Sequence, residues 1–470
     1  MGTISSAFNL IAGALDANQG ALDIVANNVA NANTTGYTRE VPNWQENPQA
    51  MINGLAYGEG VTMTGPTAVR DSVLEQRLTQ QQQLAAGTNA QLTALNTLQS
   101  LFTPNPGSSG AGAGDIGGDL TSLFNSFSSL EANPTNNALR QQVLSSAQVL
   151  AGDVSSAAAS LNQQQAALDQ QAAGVTGQVN SLTAAIANLN QQIQSLGAGG
   201  DASALQDQRQ QDLTQLAQLI GIHQITTENN GLSVTTTSGQ LLVSEGASFQ
   251  LTSSPVNGVT HFFVNGTDIT SHLTTGGGEV GGYLTARDVN IPNALGSLDQ
   301  LAYNVSTAVN TQNNTGTDLA GDNGGAGNIF YQPTTVAGSA AAMAVVMTDP
   351  NHIAAAANGA GTGDNSNAVA MADLASQGIV GGETPTNFFA TFVSQLGAEV
   401  QQVQTENTAQ NASVTQLQSQ RNALSAVNLN DEATSMQQFE RSYQAASQVF
   451  SILNTVIASA INMGVETAVA

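Results

Sequence analysis

Eight residues near the start of the chain, Ile4, Phe8, Ile11, Leu15, Asn18, Leu22, Val25 and Val29, alternate steps of four and three without a break. That rhythm lays them on one stripe of a helix with a single polar residue in the seam. Near the other end Met436, Phe439, Tyr443, Ala446, Phe450, Leu453, Ile457 and Ala460 do the same. An apolar stripe has to be covered, so two seams imply partners. Between Met1 and Thr38 the only charged side chains are Asp16 and Asp23, and between Arg441 and Glu466 there are none. A long helix in water carries many charges, so these ends are expected to bury against other chains. The plainer alternative is that they pair only with each other inside one monomer. Gly13, Gly20 and several Asn and β-branched residues make the first segment a poor isolated helix, so its order is expected to come with assembly.

Composition removes several function classes. The 470 residues suffice for several domains, and the net charge of −25 is opposed by only eight basic residues, all arginine and scattered. No patch exists to neutralise phosphates, which argues against nucleic acid and against an anionic membrane surface. The acidity instead suits a self-associating protein that must stay dispersed beforehand. There is no cysteine, hence no disulfide, thiolate metal site or cysteine nucleophile. The first residues, Met1 to Ser6, lack a basic segment followed by an apolar run, so no cleaved secretory signal is expected. The stretch Val449 to Ile461 is broken by Ser451, Asn454, Thr455 and Ser459 and is shorter than the ~20 residues of a membrane span, so no membrane insertion is expected.

Between the ends the texture changes three times. From Arg70 to Ile222 the chain is rich in Gln, Ala and Leu with helical patches such as Leu182, Ile186, Leu189, Ile193 and Leu196, and with loops at Thr103 to Gly114 and Gly197 to Gly200. From His223 to Asp288 the alternation of Leu232, Val234 and Thr236, a turn at Ser238-Gly239, and Asn265-Gly266 after Phe262 to Val264 predict strands and hairpins. Asn313 to Gly382 is Gly- and Ala-rich and reads as loops with short helices. A further heptad run, Val393, Leu396, Val400, Val403, Asn407, Gln410, Val414, Leu417, Arg421 and Leu424, slips register at Val427 to Glu432, a joint where Asn430 or Asp431 would cap the last helix. The expected fold is mainly α with a small β insertion, in discontinuous nested domains. Terminal helices at 1–34 and 429–470 form a coiled coil, 35–222 and 289–428 form a helical bundle, and 223–288 form the β domain.

Candidate chemistry is thin. His223, His261, His272 and His352 show no metal-ligand spacing, so no metal site is expected and each reads as a surface or satisfied core residue. The run Gly321 to Gly327 lacks the Lys-Ser/Thr and the strand-then-helix context of a phosphate loop. No nucleophile, base and orienting group share a recognisable pattern, so no catalytic or cofactor-binding residue is assigned. Trp44 and Tyr57 lie in a stretch read as irregular, where an aromatic usually anchors a loop onto a core.

Directly after the first seam comes Ala26-Asn27-Asn28-Val29-Ala30-Asn31-Ala32-Asn33-Thr34-Thr35-Gly36-Tyr37-Thr38-Arg39. Closely spaced Asn can cap a helix or accept turn geometry, and Gly36 can take a positive φ past the helix end. This block resembles the N-terminal signature of the flagellar rod, hook and hook-associated protein family. Val427-Asn428-Leu429-Asn430-Asp431-Glu432-Ala433 followed by Phe439-Glu440-Arg441-Ser442-Tyr443 resembles the family's C-terminal signature. Leu205-Gln206-Asp207-Gln208-Arg209 and Gly277-Gly278-Glu279-Val280-Gly281-Gly282-Tyr283-Leu284 are similar to the hook-associated members, whose long helical block rod and hook proteins lack. The resemblance implies a structural subunit, not an enzyme, at the junction of hook and filament. Its implied contacts are other copies in a ring, the hook protein, a second hook-associated junction protein, and an export chaperone on the C-terminal segment. It also implies an extracellular place in the flagellum reached by type III export. The signature positions are Asn27, Asn28, Asn31, Asn33, Thr35, Gly36, Tyr37, Arg39, Asn428, Leu429 and Glu432. A hook or distal-rod subunit is the nearest alternative, and an exported wall hydrolase a more distant one.

Overall fold

The computed structural model describes residues 2–52, 55–103, 115–197, 201–226, 231–323 and 327–466. The loops expected at 104–114 and 198–200 lie outside the described residues. The chain opens with α1 (Gly2–Ala30) and then, where an irregular stretch was expected, forms strands β1 (Glu40–Glu46), β2 (Ala50–Ile52), β3 (Leu55–Tyr57) and β4 (Val61–Ala68). β1 and β4 pair antiparallel from Glu40↔Ala68 to Glu46↔Val61, with a bulge between Asn43 and Trp44, and β2 pairs with β3 at the tip. Pro42 and Pro66 sit opposite each other in that ladder, which is why the stretch does not read as strand.

Helices α2 (Ser72–Leu101), α3 (Ile116–Ala132), α4 (Asn137–Leu196) and α5 (Ser203–Leu219) follow. Their starts are written locally. Asp71 accepts from the amides of Val73 and Leu74, Asp115 from Gly118 and Asn136 from Ala138. Each thereby satisfies amides that the first turn leaves open. Strands β5 (Ile222–Thr226), β6 (Leu232–Thr236), β7 (Leu241–Ser244) and β8 (Ala247–Ser248) make one antiparallel sheet, and β9 (Leu251–Val256), β10 (Val259–Val264) and β11 (Thr267–Asp268) make another. The turn expected at Asn265-Gly266 joins β10 to β11 with φ of 52° and 78°, the left-handed geometry of a two-residue hairpin. β6 is buried at all five positions, so the alternation read there does not mark a half-wet strand.

After α6 (Thr270–Gly276) and α7 (Gly278–Thr285), a π-helical turn at Ala286–Asn290 leads into α8 (Ile291–Thr315). The Gly- and Ala-rich stretch holds only short pieces, β12 (Gly316–Thr317), α9 (Ser339–Ala342), β13 (Ala356–Ala357) and α10 (Ser366–Asp373). Two long helices, α11 (Pro385–Ser425) and α12 (Leu429–Glu466), complete the chain. They break at the expected joint. The cap there is Asn428, not Asn430 or Asp431, because its Oδ1 accepts the Asn430 amide at 3.0 Å and its carbonyl accepts that of Glu432 at 3.0 Å.

Two apolar cores form. One gathers Leu95, Leu98 and Phe102 of α2, Leu120 and Phe127 of α3, the first half of α4, α8, and Phe389, Phe392 and Leu396 of α11. The other joins Val179 and Ile186 of α4, Leu213 and Leu216 of α5, Val234, Phe262 and Val264 of the sheets, and Val280 and Leu284 of α7. α4 runs through both, with Leu168 in the first and Ala172 in the second. Between them lies Asp169, paired with the buried Arg287, whose guanidinium also grips Asp288 through Nε at 2.7 Å and Nη2 at 2.9 Å and the Thr260 carbonyl through Nη1 at 2.9 Å. The terminal helices enter neither core.

Candidate assembly surface and the joint that aims it

α1 and α12 pack antiparallel. Phe8 meets Phe450 with ring centroids 4.6 Å apart, and at the other end Asn28 meets Glu432. On α12 the side chains of Met436, Phe439, Phe450, Leu453 and Ile457 are half-buried, while Tyr443 stays exposed. On α1, Ile11 and Val25 are buried, and Phe8, Leu15, Asn18 and Leu22 are half-buried. Val29 is 40% exposed, and the side chain of Ile4 lies outside the described residues.

A second buried face of α1 was not read from the sequence. Ala17, Ala21 and Ile24 are buried beside the β1–β4 hairpin, where Gly13 and Gly20 face Val61 and Met63. The signal was available in the small residues Gly13, Ala17, Gly20 and Ala21, which let a strand approach a helix closely. Trp44 is not anchored in a core. It is 44% exposed and stands edge-on to Phe439 at 5.8 Å. Tyr57, also read as a core anchor, is 48% exposed.

The outward face of α12 is the apolar surface left over. Val449, Ile452, Val456 and Ile461 are 47%, 61%, 51% and 61% exposed. Within Pro385–Asn462 one segment is long and apolar enough, by length and composition, to cross a membrane, and none of it is fully buried in the single chain. This differs from the sequence expectation because the helix is continuous across Ser451, Asn454 and Ser459, whose backbone groups it satisfies internally.

The signature residues converge on the base of the α1–α12 pair. Asn28 is buried with its amide fully used: Nδ2 donates to the Glu40 carbonyl at 2.8 Å and to Glu432 Oε2 at 3.1 Å. Its Oδ1 accepts from the Glu40 amide at 3.0 Å and the Tyr37 hydroxyl at 2.9 Å. Burial, then the carboxylates of Glu40, Asp207 and Glu432, raise the Tyr37 pKa and keep the phenol a donor. Burial followed by Asp201 raises Glu40 as well. Asn27 and Asn31 make a helix exit, Asn31 Nδ2 donating to Asn27 Oδ1 at 2.7 Å. Gly36 takes the expected positive φ, 82°. Asn33 and Leu429 are exposed.

The same block is tied to the helical body. Thr38 donates twice to Asp207 of α5, from its amide at 2.9 Å and its hydroxyl at 2.6 Å, and Arg70 pairs with that carboxylate. Gln211 donates to the Thr35 carbonyl at 2.9 Å, Arg421 of α11 to the Gly36 carbonyl at 3.2 Å, and the Arg39 amide to the Ser425 carbonyl at 2.8 Å. Asp207, met in the sequence only within the Leu205–Arg209 resemblance, and Arg421, met only as a heptad position, therefore help fix the direction in which the terminal helices leave the body.

The histidines divide. His352 lies with Asp318 and Asp322, the ligand atoms within 4.8 Å of one another, a grouping that sequence spacing did not reveal. Its Nδ1 is 2.9 Å from the buried Asp318, whose Oδ1 accepts the Asp322 amide, so the cluster is occupied by its own bonds.

Residues 107–330 match the family model described as flagellar hook-associated protein FlgK helical domain, and residues 8–38 match that of flagella basal body rod protein. The chain is 25% identical to flagellar hook-associated protein 1 of Escherichia coli (strain K12), over 98% of this chain and 100% of that one. It is also 25% identical to the protein of that name in Bacillus subtilis (strain 168), over 96% and 97%. Its fold is similar to that of the flagellar hook junction protein FlgK from Burkholderia pseudomallei, with a TM-score of 0.63 and 18% identity over 73% of this chain and 99% of that one. With the rod-type signature folded at the base of the terminal helices and the helical-domain match following it in order, the chain is similar to flagellar hook-associated protein 1 along nearly its whole length.

Proposed function

We propose that this protein is a structural subunit of the bacterial flagellum that joins hook to filament, assembling through its terminal helices. One observation carries the reading: α12 covers one face with α1 and leaves Val449, Ile452, Val456 and Ile461 on the other. Covering four half-exposed side chains of this size contributes roughly 3 to 6 kcal/mol. Association costs at least as much, so a single pair of copies is weak and a closed ring, in which every copy is covered on both sides, is favoured. The same apolar face accounts for the apparent membrane-crossing length, since a helix apolar on two opposed faces suits burial between protein neighbours.

On this reading the protein is passive and its chemistry is packing. Its neighbours are further copies, the hook protein below and a second hook-associated junction protein above. In the cytoplasm an export chaperone would shield the apolar face of α12, and the chain would leave through the flagellar type III apparatus to an extracellular position. On this reading the described parts of the 1–34 and 429–470 segments make up the inner unit, and the two cores the outer units.

Electron microscopy of flagellar bases after deletion of the gene, with a flagellin assay of the medium, tests the role. Complete hooks without filaments and flagellin lost to the medium are expected. Missing hooks would move the protein to the rod or hook, and intact filaments would sink the proposal. Phe450→Asp or Leu15→Asp should abolish incorporation into flagella while leaving the thermal melt of the two cores in place, read by circular dichroism.

A further inference from the structure

At the foot of the α1–α12 pair a groove of about 600 Å³ opens between the signature block, α2, α5 and α11. Its walls carry Glu75, Gln82, Asp207, Gln418 and Arg421. Glu75 is 6% exposed and ion-paired with the Arg421 Nε at 3.6 Å, but its Oε1 accepts no hydrogen bond. The buried Oε1 of Gln82 also accepts none. Buried polar atoms are nearly always matched, and a carboxylate out of water is costly when left unmet. Both unmet atoms are acceptors. The missing partner is therefore a donor, and a planar guanidinium, with five N–H groups and a positive charge, can serve a carboxylate and an amide oxygen on one face of α2, about two turns apart.

The chain itself has such a donor to spare. Arg77 and Arg441 are exposed and make no ion pair among the described residues. Arg441 is on α12, and the eleven residues from it to Ile452 span about three turns, which puts the guanidinium on the same outward face as Ile452 and Val456. Where the terminal helices run along the axis of a ring or tube, symmetry keeps those of neighbouring copies close to parallel. A second copy displaced along the helix axis by about 20 Å brings its Arg441 level with Val427 at the groove, and its Ile452 level with the exposed Trp44 and the half-buried Phe439 of the first. One displacement thus meets both the polar and the apolar demand.

We infer that the groove at the signature joint is the socket for Arg441 of a second copy, held by Glu75 and Gln82, and that this contact sets the axial stagger between neighbouring subunits. The inference rests on the assembly role proposed above and adds to it the residue pair that defines register.

The absence of cysteine makes the test direct. Gln82→Cys and Arg441→Cys chains are co-expressed in cells lacking the native gene, and their isolated flagella are oxidised and run on a non-reducing gel. Each chain carries one thiol, so an 82–441 disulfide can form only between copies. Gln418→Cys supplies a second groove position, and Arg77→Cys the competing arginine. The expected result is an 82–441 or 418–441 dimer well above the 82–77 one. Glu75→Gln or Arg441→Gln should lower incorporation roughly tenfold or more, as for loss of one member of a desolvated charged pair. Both chains present in flagella without an 82–441 or 418–441 dimer would overturn the inference and leave the assembly role standing. A dimer through residue 77 would assign the socket to another face and overturn it too. Absence of the native chain from flagella would overturn both.

Discussion

Asp119 and Asp153 face each other between α3 and α4, and Asp119 Oδ2 is buried without a donor because the neighbouring group is another carboxylate. Burial first, then Asp153 and Asp115, raise the Asp119 pKa from 3.8 to about 7. The raised value means that the folded chain holds a proton the unfolded chain releases. The resulting stabilisation is fully present below about pH 4 and is lost as pH rises through 7. Thermal melts should therefore fall between pH 5 and pH 8, and Asp119→Asn should flatten that dependence. An unchanged slope in the variant would show that the pair does not share a proton. Asn28 makes the second case, since its four bonds tie α1 to β1 and α12 at once. Asn28→Ala leaves buried groups of Glu40 and Glu432 unmet, and a loss of about 2 to 4 kcal/mol in local stability is expected, measured by hydrogen exchange of the Glu40 amide. Asn28 stood out in the sequence as part of a motif. Its partners did not, because Glu432 is 404 residues away along the chain.

At the level of elements, tight turns were legible because their causes are local. The positive φ at Gly36 and the Asn265-Gly266 hairpin each depend on a few adjacent residues, whereas the cap expected at Asn430 or Asp431 is Asn428. The β1–β4 hairpin was missed because two prolines and a bulge remove its strand signature, and because its partner surface is a helix. The packing of α7 on α2 was equally hidden. A Cβ added at Gly282 would fall against the Gly87 carbonyl and 2.8 Å from the Gln91 amide nitrogen, so the two helices touch through bare backbone. Gly282→Val should force them apart and cost about 3 kcal/mol or more in urea unfolding, the upper range for overpacking. The conservative Gly282→Ala should fall between.

The whole molecule separates what is stable alone from what is completed by neighbours. Neither apolar core draws on α1 or α12, so a chain truncated after residue 428 should keep the cooperative melt of both cores. The full-length monomer should lose its terminal helices first in limited proteolysis, since half-buried side chains on a two-helix pair hold them weakly. If truncation instead unfolded the cores, the terminal pair would be an integral part of the body. Arg287 acts at this scale too, joining the sheet side to the helical side through Asp169 and Thr260.

Periodicity determined the long helices, the two terminal seams and the position of the joint, because a repeat of 3.5 to 3.6 residues is written in the chain whatever surrounds it. Tertiary structure decided which face of each helix was covered and by what. The second face of α1, the exposure of Trp44, the unmet acceptors in the groove and the carboxylate pair of α3 and α4 all arise from residues brought together across tens to hundreds of positions. Burial and charge act through space, so their consequences appear only once the chain has folded.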